Sequence, residues 1–62
     1  MMKYKIELTK ILDGIEFPCS RFGGSLGWMI EQLEELAGRT DIVEAVCWVS
    51  KNDGYSWKQV VE

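Results

Sequence analysis

The sequence predicts an α+β domain of order β-β-α-β-β, a four-stranded, mostly antiparallel sheet with one helix packed across one face. Three observations carry this. An Asp-Gly pair, Asp13-Gly14, joins two alternating apolar runs. One stretch, Ser25 to Gly38, repeats its apolar residues at helical spacing. A third alternating run, Ile42 to Ser50, is followed by Asn52-Asp53-Gly54 and a fourth apolar segment.

The first strand is Lys3 to Leu12. Tyr4, Ile6 and Leu8 alternate with Lys3, Lys5, Glu7 and Thr9, the pattern of a half-buried strand. Asp13-Gly14 suits a type I′ turn, which needs positive φ at both central residues. A two-residue turn sets Leu12 opposite Ile15, Lys10 opposite Phe17 and Leu8 opposite Cys19. Paired residues share a face, so Tyr4, Ile6, Leu8, Leu12, Ile15, Phe17 and Cys19 form one apolar surface, interrupted by Lys10. Pro18 has no N–H to give a ladder, which places the second strand at a sheet edge.

Arg21-Phe22-Gly23-Gly24 reads as a flexible connection into the helix. Ser25 is the expected N-cap. Leu26, Met29, Ile30, Leu33, Leu36 and Ala37 form one stripe. Gly38 suits the left-handed residue that ends a helix, and Arg39 suits the negative end of its dipole. Trp28 falls roughly 145° from the stripe's centre, at 100° per residue. It shares that outer side with Glu31, Gln32 and Glu35.

In the third strand Val43, Ala45, Cys47 and Val49 form an apolar face, and Ile42, Glu44, Val46 and Trp48 a mixed one. A three-residue loop at Asn52-Asp53-Gly54 pairs Lys51 with Tyr55, Val49 with Trp57, Cys47 with Gln59 and Ala45 with Val61. Trp48 then lies beside Lys58 on the face away from the helix, near Val46 and Val60. The order of elements resembles the immunoglobulin-binding domains of protein G. That likeness lies in element order and length, not in any motif. It implies terminal strands lying parallel in the centre, both hairpins outward, and it implies nothing about a ligand.

The chain has 62 residues, 47% of them apolar and seven aromatic, which predicts a single packed domain spanning residues 1–62. Ten carboxylates against seven bases give a net charge of −3, which argues against general nucleic-acid binding. Met1-Met2-Lys3-Tyr4-Lys5 contains no apolar signal region, and no apolar run approaches the roughly 18 residues of a membrane span. A cytoplasmic protein with reduced thiols is therefore expected, with Cys19 and Cys47 on core faces.

The sequence contains no histidine, the commonest general base and metal ligand. Glu31, Glu34 and Glu35 lie on an exposed helix face, which supplies neither the burial nor the charged neighbour that acid–base work by paired carboxylates needs. Gly23-Gly24-Ser25-Leu26-Gly27 opens a helix but lacks the lysine and spacing of a phosphate loop. No catalytic residue, metal site or cofactor is expected. The exposed tryptophans point instead to interaction surfaces. Two are expected: Ile42, Val46, Trp48, Lys58 and Val60 on the open sheet face, and Trp28, Glu31 and Glu35 on the outer helix face. The predicted function is a non-enzymatic protein-binding module. Small acidic phage and mobile-element inhibitors, which occlude a host or defence protein, have this size and charge. Two other readings are a homo-oligomer, in the simplest case a homodimer, using the open face, and a single-strand nucleic-acid binder stacking bases on Trp48 above Lys3, Lys5 and Lys58.

Overall fold

The structure, a computed structural model, describes residues 2–60. It contains β1 (Lys3–Leu12), β2 (Ile15–Gly23), α1 (Leu26–Ala37), β3 (Ile42–Ser50) and β4 (Lys58–Gln59). They form the expected ββαββ α+β fold, with one four-stranded sheet of order β2-β1-β3-β4. All three pairings are antiparallel. The central pair is β1 and β3, so the parallel terminal strands implied by the protein G likeness are not formed. The helix-to-β3 connection explains this. It ends beside the far end of β1, where the Ile11 N–H donates to the Asp41 carbonyl at 2.8 Å. The chain is thus delivered straight onto the free edge of β1.

The β1–β2 hairpin has the expected register, from Leu12 opposite Ile15 to Leu8 opposite Cys19. Its turn has positive φ at Asp13 (52°) and Gly14 (78°), as type I′ requires. The ladder continues past Arg21 to Gly23, opposite Tyr4, so the stretch expected as a flexible connection is strand. β2 is an edge, and the alternation of paired groups turns the Pro18 nitrogen outward. A proline there blunts the edge against a further strand.

The core is Tyr4, Ile6 and Leu8 of β1 with Met29 and Leu36 of α1, and Cys19, Trp28, Leu33, Ile42, Cys47 and Val49 pack around it. Full burial of such a side chain contributes on the order of 1.5–3 kcal/mol. Ser25 caps α1, its Oγ accepting from the Trp28 N–H at 3.1 Å. Gly38 ends the helix in the right-handed region (φ −86°), not the left-handed one expected.

α1 is rotated by about 60° from the orientation its apolar stripe predicts, at 100° per residue. Met29, Leu33 and Leu36 still face the sheet, but Leu26 and Ile30 are exposed and Trp28 is half-buried. Gly23 is the cause. The Trp28 indole lies against its backbone, where an added Cβ would come within 2.1 Å of the ring. The Arg21 guanidinium reinforces the tilt, donating to Gln32 Oε1 at 2.6 Å. The helix therefore leans toward β2, and Ala45 of β3, which faces the helix side, remains exposed.

Two shifts change the faces of the second half. A bulge between Thr9 and Lys10 pairs Thr9 with Glu44 and Lys10 with Ile42. It brings Ile42 to the core and leaves Val43 exposed, the reverse of the expected assignment. In β4 the pairs are Val49 with Lys58 and Trp48 with Gln59, one residue out from the expected register. A one-residue slip exchanges the two faces. The buried Ser50 hydroxyl sets the slip by accepting from the Asn52 and Gly54 N–H groups and donating to Asn52 Oδ1. Side-chain bonds of this kind replace ladder bonds and lengthen the loop. Asp53 (φ 61°) and Gly54 (φ 96°) turn the chain there. The expected partner of Ala45, Val61, lies outside the described residues.

Candidate functional site

The helix-free face of the sheet is built by alternation along β1. Lys3, Lys5, Glu7 and Thr9 point to it, with Ser50, Trp48, Val46 and Glu44 opposite on β3. On the other side stand Phe22, Ser20 and Pro18 of β2. The β4 slip adds Trp57. Lys5 Nζ lies 4.5 Å from the Trp57 ring centroid and 5.6 Å from that of Trp48, within cation–π range. Phe22 meets Trp57 edge-on at 6.5 Å and 61°. Lys5 is also 3.5 Å from Glu7 and only 19% exposed. One half of the face is therefore a cation held among three aromatic rings.

The other half is a hollow of about 230 Å³ over β1, lined by Glu7, Glu44, Thr9, Ser20, Val46 and Trp48. Two carboxylates and two hydroxyls thus sit beside an indole. Trp48 Nε1 is buried with no hydrogen-bond partner among the described residues. The face can take up an apolar or aromatic group against the rings and a cationic or hydrogen-bonding group in the hollow.

Of the residues expected on this face, Val46 and Trp48 are there. Ile42, Lys58 and Val60 are on the helix side instead, Ile42 through the bulge and the other two through the β4 slip. The Val60 N–H donates to the Cys47 carbonyl at 2.8 Å, which fixes its side. The expected outer helix surface is not assembled. Trp28 turns inward onto Gly23, while Glu31 stays exposed. Glu35 is drawn to Arg21 at 3.5 Å and Arg39 at 3.9 Å. Arg39 in turn holds Asp41 with a bond of 2.6 Å and a second of 2.9 Å. The hydrogen bond from Arg39 lowers the Asp41 pKa. Both thiols are free, and burial pushes the Cys47 thiol up.

Phe22 and Trp57 are not singled out by sequence, and Lys5 enters there only as a support for bases stacked on Trp48. Phe22 was legible: continuing the hairpin register sets it opposite Lys5. Trp57 was not, because its side depends on the Ser50 hydroxyl. No family model matches the sequence, and no curated protein or solved structure matches it.

Proposed function

We propose that this chain is a non-enzymatic protein-binding module that docks a partner on its open sheet face and acts by occluding the surface it covers. The observation that supports this most is the pairing of an aromatic cluster (Phe22, Trp48, Trp57) with the adjoining carboxylate-lined hollow. Aromatic anchors beside a polar hollow are the usual composition of interface hot spots. Glu7 and Glu44, with the net charge of −3, favour a partner surface that presents basic side chains. The nucleic-acid reading has less support. Lys58 is on the opposite face, Lys3 is 3.3 Å from Asp53, and Lys5 is enclosed by rings and Glu7.

The test is affinity capture from the native host with mass spectrometry, comparing the wild-type chain with Phe22→Ser and Val46→Glu. Tyr55→Ser, altering a residue that is 91% exposed, is the control. A partner retained by wild type and control but lost by both face variants, each still folded, supports the reading. A partner retained by the folded face variants would sink it.

A further inference from the structure

We infer that the hollow on the open face takes an arginine side chain of the docked partner, its guanidinium seated between Glu7 and Glu44 and against the Trp48 indole. This rests on the docking reading above and names what the hollow selects. The hollow, of about 230 Å³, has no basic residue among those that line it. The register explains its charge. Glu7 stands opposite Val46 and Ser20, and Thr9 opposite Glu44 and Pro18. The two carboxylates are therefore diagonal neighbours on one face, within reach of a single long side chain.

The chain itself does not neutralise this pair. Glu44 has no ion pair among the described residues. Glu7 has one, to Lys5 at 3.5 Å, and its side chain is still 51% exposed. Lys5 is turned to the Trp57 ring, 4.5 Å from the centroid, so it meets Glu7 from one side only. Two neighbouring carboxylates with one such contact between them are complementary to a cation brought from outside.

The remaining lining decides which cation. Thr9 and Ser20 add two hydroxyl acceptors to the two carboxylates. A guanidinium offers its donors in a flat fork that engages several acceptors together, whereas an ammonium is a compact point charge. Trp48 and Val46 give an apolar wall on which the planar group stacks and its stem lies. A metal ion is disfavoured, because among the described residues no group of three acidic or thiol side chains could hold one. Trp48 Nε1 is buried with no hydrogen-bond partner among those residues. That donor wants an acceptor, which a peptide brings in its carbonyl groups and a bare cation does not.

The experiment is an NMR titration of the whole chain with acetyl-arginine-amide. Its lysine counterpart and its citrulline counterpart, a neutral urea of the same shape, are run beside it. The arginine probe should saturate with a dissociation constant on the order of 1 mM. Its shifts should centre on Glu7, Thr9, Glu44 and the Trp48 indole N–H, and not on Glu31 or Glu34 of the helix. The lysine probe should bind more weakly and the citrulline probe not at all. Glu7→Gln and Glu44→Gln should each weaken the arginine probe roughly tenfold. No saturable binding would overturn the inference. So would citrulline binding as well as arginine, or shifts spread evenly over the exposed carboxylates. If a glutamine variant does not fold, the comparison of arginine with citrulline on the wild-type chain decides alone. Partner capture separates this inference from the reading it rests on. A partner lost by folded Phe22→Ser but held by folded Glu7→Gln and Glu44→Gln leaves the docking reading in place and overturns the arginine.

Discussion

Replacing Gly23 with alanine tests how the helix is seated. The added Cβ would fall 2.1, 2.3 and 2.5 Å from three atoms of the Trp28 indole. Ordinary carbon contacts lie near 3.5 Å, so the ring must retreat by about 1.4 Å or more. The ring is held between Gly23 and the core, and its retreat tilts α1 away from β2. Overpacking of this kind costs about 1–3 kcal/mol. At about 2 kcal/mol, Tm should fall by roughly 8–16 °C for a domain this small. Gly23 has no positive φ, so alanine itself is not strained there. In a Trp28→Ala background the same change should therefore be neutral or gain about 0.5–1 kcal/mol, as Gly→Ala does in a strand. Urea unfolding of the four proteins, followed by circular dichroism, gives the coupling energy directly. A harmless Gly23→Ala would refute the argument, as would an equal loss in both backgrounds.

Two further predictions concern the ends of α1. Ser25→Ala removes the acceptor of the Trp28 N–H and should lower stability by about 1 kcal/mol, while Ser25→Asp should restore it; urea titrations check both. Asp41 is lowered by its bond to Arg39. Its contribution is therefore present above the ordinary carboxylate pKa of about 3.9 and is lost as pH falls through the lower folded value. Asp41→Asn should make the acid limb of the Tm–pH curve shallower, with a smaller difference at high salt. An unchanged acid limb would remove Asp41 from the account.

The first half of the fold was legible because its signals are local. Asp13-Gly14 admits only a tight turn, and a two-residue turn dictates every pair from Leu12 and Ile15 outward. Tyr4, Ile6 and Leu8 then had one side to occupy. The second half turned on features that pattern does not record. The bulge beside Thr9 exchanged Ile42 and Val43, which are equally apolar. The Ser50 hydroxyl gathered Asn52 and Gly54 and moved Lys58 and Val60 to the other face. On the helix, a small residue outside the stripe decided the rotation, since only Gly23 lets an indole lie flat on β2. The candidate site was accordingly half visible. Val46 and Trp48 lie on a strand whose phase survives the bulge, whereas Trp57 depends on a loop organised by side chains.

The central place of β1 also governs the order in which the chain can fold. Its pairing with β2 joins near neighbours across one turn, and α1 follows directly. Its pairing with β3 joins residues as far apart as Lys3 and Ser50 and must wait for a much longer loop to close. On a ribosome, hairpin and helix can meet while β3 is still being made. Until β3 arrives, the second edge of β1 is open, with Ile6 and Leu8 uncovered on that side. This interval is when the nascent chain is most exposed to mispairing. The four residues from Gly38 to Asp41 shorten it, because they set β3 down beside that edge as soon as it emerges.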